Sequence, residues 1–243
     1  MLKGVVASVA ASVLFALMYG LSPRLQPLDG EQIFGWRIVL TLPFTTALLW
    51  STGAVGELRR LLARVRARPA LGVLLLVSSA LLGVQLWLFL WAPLHGKALP
   101  VSLGYFMVPI MLVLVGRLQF KEKLSRPQIA ASTIATLAVG AELLRAGGLA
   151  LETWIVCLGY PLYFVLRRRL RTEQLAGHWL DMALMVPAAV YFMVREPSSI
   201  GLWHEAPHLL TLMPLVGLVS AGALALYMAA SRWLPMGLFG LLS

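Results

Sequence analysis

Residues 71–92 read LGVLLLVSSALLGVQLWLFLWA, a run without a single Asp, Glu, Lys or Arg. A helix needs about 20 apolar residues to cross the hydrocarbon core of a bilayer, because each adds only about 1.5 Å of rise. Seven other stretches share this character: 4–22, 33–51, 99–117, 128–145, 150–167, 178–194 and 208–230. A ninth begins at Leu234 and reaches only Ser243. The fold expected is all-α: a polytopic transmembrane helical bundle of eight full spans plus the start of a ninth. The first span follows Lys3, as a signal peptide would, but it runs to Gly20 with no small-x-small cleavage site before Ser22-Pro23 and reads as retained.

The whole composition agrees. Of 243 residues, 60% are hydrophobic and 12% charged, and the mean hydropathy is +0.84. Such a chain has no polar surface to offer water, which excludes a soluble enzyme, a disordered protein and a disulfide-stapled secreted module. Cys157, the single cysteine, forms no internal disulfide and supplies no paired zinc ligands. The net charge of +10 sits between the spans and forms no continuous stripe, so it points to loops facing anionic lipid, with no nucleic-acid partner.

Charge also sets the sidedness. With the N-terminus inside, 15 basic residues fall in cytoplasmic segments: Lys3, the Arg59–Arg68 cluster, Arg117 to Arg126, Arg167 to Arg171, and Arg232. Four fall opposite, Arg24, Lys97, Arg145 and Arg195, and Arg37 lies within a span. Positive residues collect on the cytoplasmic side, so the N-terminus is expected there. Along span 1, Gly4, Ser8, Ser12, Ala16 and Gly20 recur every four residues, and Gly217, Ala221, Ala225 and Ala229 do so along span 8. Small residues at this spacing let two helices approach closely in lipid.

Two short stretches match across about 135 residues: Leu99-Pro100-Val101-Ser102-Leu103 after span 3, and Leu234-Pro235-Met236-Gly237-Leu238 after span 8. An offset of five spans is odd, so the second copy is expected inverted in the membrane, as in many secondary transporters. The first unit is then 1–146 and the second 149–243, which is expected to be incomplete by its last helix and a half.

Several motifs carry a family resemblance. Ser102-Leu103-Gly104-Tyr105-Phe106 with Pro109, the upstream Leu86-Trp87-Leu88-Phe89-Leu90-Trp91-Ala92, and Gly35-Trp36-Arg37 in span 2 resemble the RarD-like branch of the EamA family, within the drug/metabolite transporter superfamily. Lys121-Glu122-Lys123-Leu124 falls where that family carries a Gly-Glu-Arg turn, with Lys121 in place of the expected Gly. Gly159-Tyr160-Pro161-Leu162-Tyr163-Phe164 resembles its sixth helix. The resemblance implies ten helices in two inverted five-helix repeats, both ends cytoplasmic, and export of small metabolites or drugs.

Polar groups inside spans are the candidate site, because they are expensive in lipid. Gln85 shares a helix face with Ser78 and Ala92; its amide suits a substrate contact and an interhelical bond equally. Arg37 suits an anionic substrate, a structural pair with Glu142, or snorkelling to headgroups, and the pair is favoured because Arg145 at i+3 balances Glu142. Tyr105 and Tyr160 each precede an in-span proline, Pro109 and Pro161, which frees the carbonyls of Tyr105 and Cys157. A freed carbonyl at depth survives beside protein, water or ligand, so a cavity wall is expected there. Trp87, Trp91 and His95 read first as interfacial-belt residues; with Tyr163, the two tryptophans complete the candidate substrate contacts. Asp181 suits proton coupling, but a carboxylate at the start of a helix is the preferred reading.

No zinc-protease, phosphate-loop or serine-elbow motif is present, so no enzyme and no cofactor are expected. The function expected is a secondary transporter exporting an amino-acid-like metabolite or an amphipathic drug across the bacterial inner membrane by alternating access. Its partners are the lipid bilayer and a small-molecule substrate, with the proton gradient and a homodimer left open. The alternative is a non-transporting membrane scaffold or partner subunit.

Overall fold

The computed structural model describes residues 2–122, 126–146, 150–195 and 206–242. Within them the chain forms ten α-helices and no strand: α1 (Leu2–Leu21), α2 (Gly30–Ser51), α3 (Val55–Ala67), α4 (Pro69–Leu94), α5 (Ala98–Phe120), α6 (Arg126–Ala146), α7 (Leu151–Leu170), α8 (Leu175–Val194), α9 (Leu209–Trp233) and α10 (Met236–Leu242). Helices are the expected solution in lipid, because each satisfies its own backbone groups.

Six of these, α1, α2, α4, α5, α8 and α9, are long and apolar enough to cross a membrane. The sequence reading expected eight. The fifth and sixth expected spans are helices too, α6 and α7, of 21 and 20 residues. Among the described residues of α6 the apolar stretch is Ser132–Ala141. In α7 the apolar run is bounded by Glu152 at one end and Arg167, Arg168 and Arg169 at the other.

The amphipathic helix α3 lies where only a basic loop was expected. Arg59, Arg60, Arg64 and Arg66 face outward and Leu61 is buried against Leu71, Leu75 and Leu180. Arg64 Nη2 donates to the Leu170 carbonyl at 2.9 Å, satisfying one of the open acceptors at the end of α7.

The bundle's outer surface is apolar. On α1 the side chains of Leu2, Val6, Val9, Val13 and Leu17 are each more than half exposed. In water such a face is a liability; beside acyl chains it is a normal boundary. Inside, α2 packs against α4, α8 and α9, α1 lies along α9, α4 along α7 and α8, and α5 along α6, α7 and α10. Close approach is possible where glycine removes the side chain: a Cβ on Gly217 would lie 2.7 Å from Leu40 Cβ, so α9 and α2 meet almost backbone to backbone.

The small-residue stripe of α1 only half describes its buried face. Gly4 and Ser8 are buried, with Ala7, Ala11 and Met18, while Ala16 and Gly20 are exposed. Four residues advance a helix by about 400°, so a strict four-residue repeat drifts about 40° per step and leaves the interface.

Candidate functional site

A cavity of about 220 Å³ lies within the bundle. Helix α1 contributes Ser12 and Phe15, α2 Arg37, α4 Leu86 and Phe89, α5 Tyr105, Val108 and Pro109, α7 Tyr160, and α9 Tyr227. Its wall is therefore mostly aromatic and aliphatic with a few polar groups, the usual make-up of a small-molecule site.

Local sequence explains how these side chains meet. α2 starts at a capping box: Gln32 N donates to Asp29 Oδ1 at 2.7 Å and Asp29 N donates to Gln32 Oε1 at 3.1 Å. Arg37 follows two turns later, fully buried, and its Nε donates to Ser220 Oγ on α9 at 2.8 Å. Gly104 lets α5 close on α7, where a Cβ would lie 2.7 Å from Val156 Cβ. Thr153 Oγ1 then donates to the Pro100 carbonyl at 2.8 Å across the same seam. That contact brings the Tyr105 and Tyr160 rings to 5.8 Å between centroids. Phe89 meets Tyr105 edge-on at 5.8 Å.

One flank of the cavity is an aromatic layer. Tyr160 stacks on Phe164 at 6.3 Å, and Phe164 contacts Tyr227 and Phe239 at 5.6 Å and 4.9 Å. Beyond it sits a charged cluster. Arg167 Nη1 and Asp181 Oδ2 form an ion pair at 2.8 Å with side chains 1% and 0% exposed. Tyr163 Oη donates to the same carboxylate oxygen at 2.9 Å, and the Asp181 carbonyl accepts from Ser79 Oγ at 2.9 Å. Asp181 Oδ1, Arg167 Nε and both ring nitrogens of His178 are buried without a hydrogen-bond partner among the described residues.

Of the side chains expected to contact substrate, the cavity thus brings together Tyr105 and Tyr160, and it adds Arg37. Gln85 does not line it. The Gln85 amide lies on Gly159, and its Nε2 donates to the Ile155 carbonyl at 3.0 Å, a bond between α4 and α7. Only the Gln85 backbone carbonyl touches a cavity-lining residue, accepting from Tyr105 Oη at 3.4 Å. Trp87 and Trp91 pair with each other at 5.1 Å, and Trp91 stacks on His95 at 4.1 Å, outside the cavity lining. Tyr163 belongs to the charged cluster. The expected Arg37–Glu142 pair lies outside the described residues, since the Glu142 side chain is not among them.

One expectation is corrected. Asp181 is the seventh residue of α8, past the first turn whose free N–H groups favour a carboxylate, and it is held by Arg167 instead. Arg167, counted by the sequence reading among the basic residues of its segment, is buried at 1% exposure. Ser220 and His178 were not singled out in the sequence; both are polar residues within apolar runs, the signal that marked Gln85.

Among the described residues no group of three or more His, Cys, Asp or Glu is placed to hold a metal ion. No family model matches the chain, and no solved structure matches it. Curated relatives do. An uncharacterized transporter of Pasteurella multocida is 42% identical over 242 residues, covering 100% of this chain and 83% of that protein. The chloramphenicol-sensitive protein RarD of Pseudomonas aeruginosa is 39% identical over 244 residues, covering 99% and 81%. Protein RarD of Salmonella typhi is 25% identical over 240 residues, covering 98% and 80%. With apolar helices enough for a multi-pass membrane protein and this likeness along its length, the chain belongs to the RarD-like transporters.

Proposed function

We propose that this protein is a secondary transporter of the EamA type that exports a small metabolite or amphipathic drug across the bacterial inner membrane by alternating access. The observation that carries the reading is the cavity itself, walled by α1, α2, α4 and α5 on one side and by α7 and α9 on the other. In this reading the substrate is held between the two halves, 1–146 and 149–243, near the membrane midplane.

The helix contacts support those halves. Exchanging α1, α2, α4 and α5 for α7, α8, α9 and α10 turns the α1–α9 contact into α7–α4, α2–α9 into α8–α4, and α5–α7 into α10–α1. The α2–α8 and α5–α10 contacts map onto themselves. An inverted repeat about an axis in the membrane plane produces that pattern. Transport then opens one of two barriers in turn. One is the aromatic layer of Phe164, Tyr227 and Phe239; the other is the apolar cluster of Leu25, Leu28, Ile33, Leu90, Leu209 and Met213.

Ser12→Trp tests this by filling the cavity from α1. Cells producing the wild-type protein are expected to accumulate at least one small molecule in the medium that cells producing S12W do not. Identical media from the two, with both proteins folded and in the membrane, would refute transport through this cavity.

A further inference from the structure

We infer that the cavity binds a small organic monocarboxylate with an apolar body and no ammonium group, its carboxylate seated on the two terminal nitrogens of Arg37. The inference rests on the transporter reading only for the fate of the acid once bound.

Arg37 is 0% exposed. Its Nε is engaged by Ser220, and its Nη1 and Nη2 are buried without a hydrogen-bond partner among the described residues. The ion pairs among those residues are Lys97–Glu152, Arg167–Asp181, Arg168–Glu122 and Arg195–Glu31, and Arg37 enters none of them. An unpaired guanidinium away from water is strongly unfavourable, and a membrane protein retains one where a ligand offsets it. With Nε fixed on Ser220, the end of the fork presents two parallel N–H donors, the geometry that accepts a carboxylate through both oxygens.

Charge and volume narrow the ligand. Among the described residues Arg37 is the one charged side chain in the cavity lining, so it balances one negative charge; a phosphate dianion would leave half its charge uncompensated. Among the described residues the lining holds no carboxylate to receive an ammonium, which sets an α-amino acid at a disadvantage against the plain acid. Phe15, Phe89 and Tyr227 supply apolar faces for the body of the ligand. At about 220 Å³ the space falls below the roughly 300–1,000 Å³ of drug-sized sites, which suits one ring on a short chain.

The test compares 3-phenylpropionate, 3-phenylpropionamide, phenylalanine and inorganic phosphate as ligands of the purified full chain, by calorimetry. The acid is expected to bind at least tenfold more tightly than each of the others. Arg37→Lys, which keeps the charge and loses the fork, is expected to weaken the acid at least tenfold, and Arg37→Gln to abolish the preference for acid over amide. Equal binding of acid and amide, preference for phenylalanine or phosphate, or binding of none of the four would overturn the inference, and this wild-type comparison stands even where an Arg37 variant fails to fold. Counterflow of the same acid in proteoliposomes separates the two readings. An acid that binds but is not carried upholds the inference and removes transport. A carried neutral compound that displaces no acid upholds transport and removes the inference.

Discussion

Replacing Asp181 with Asn removes one charge from the Arg167–Asp181 pair while nearly preserving its shape. The partners are 2.8 Å apart and 1% and 0% exposed, and at an effective dielectric near 20 their attraction is about 6 kcal/mol. That attraction is set against a desolvation penalty of several kcal/mol for each ion, so the intact pair adds little net stability. Breaking it is different, because the Arg167 guanidinium then stays buried without a counter-charge. The expected loss for D181N is about 3–5 kcal/mol. The double variant Arg167→Met with Asp181→Leu removes both charges and is expected to lose at least about 2 kcal/mol less than the sum of the single losses. Reversible unfolding in mixed detergent and SDS micelles, followed by tryptophan fluorescence, measures D181N and the four corners of the cycle: wild type, R167M, D181L and the double variant. A loss under about 1 kcal/mol for D181N, or single losses additive within about 0.5 kcal/mol, would refute the reasoning.

Three further outcomes follow from the structure. Lys121 ends α5 at φ 52°, a left-handed conformation in which a side chain is strained, so Lys121→Gly is expected to stabilise the protein by about 0.5–1 kcal/mol in the same unfolding assay. Glu122 pairs with Arg168 at 2.9 Å and accepts from the backbone N–H groups of Met236 and Gly237 at 3.0 Å and 3.1 Å; Glu122→Gln is expected to cost about 1–2 kcal/mol, read as earlier proteolysis near the start of α10. A methyl group at Gly159 would run into the Gln85 amide, so Gly159→Ala is expected to destabilise by about 1–3 kcal/mol, and Gln85→Ser in that background to restore part of the loss. If Q85S brings no recovery, the amide does not occupy the space that this seam requires.

Much of the helical layout was legible, because 20-residue apolar runs leave a chain few options. Residues 71–92 sit inside α4, and the match after 135 residues falls at the starts of α5 and α10. Helix α3 is not apolar enough to register as a span: Leu58, Leu61, Leu62 and Val65 recur at helical spacing, but its 13 residues also carry Arg59, Arg60, Arg64 and Arg66. The site was harder to read. A membrane helix is apolar on both its core and lipid faces, so periodicity does not tell which way a residue points. Tyr105 and Tyr160 carried a second signal, the prolines that follow them, and both line the cavity. Leu86 and Phe89 carry none and line it equally. Gln85 and Asp181 were marked by polarity, but polarity says only that a partner exists. The partner is a carbonyl one helix away for Gln85 and an arginine 14 residues earlier for Asp181.

The attachment of α10 bears on the order in which the chain assembles. The contacts that hold α10 come from distant segments: Glu122 on its first amides, Ser8 Oγ donating to the Leu242 carbonyl at 3.1 Å, and Phe239 against Phe164 and Tyr227. Each becomes available only after α1, α5, α7 and α9 are inserted and packed. The docking of Met236–Leu242 therefore depends on a surface built by the rest of the bundle, and its amides should be among the first to exchange with solvent deuterium when that surface loosens.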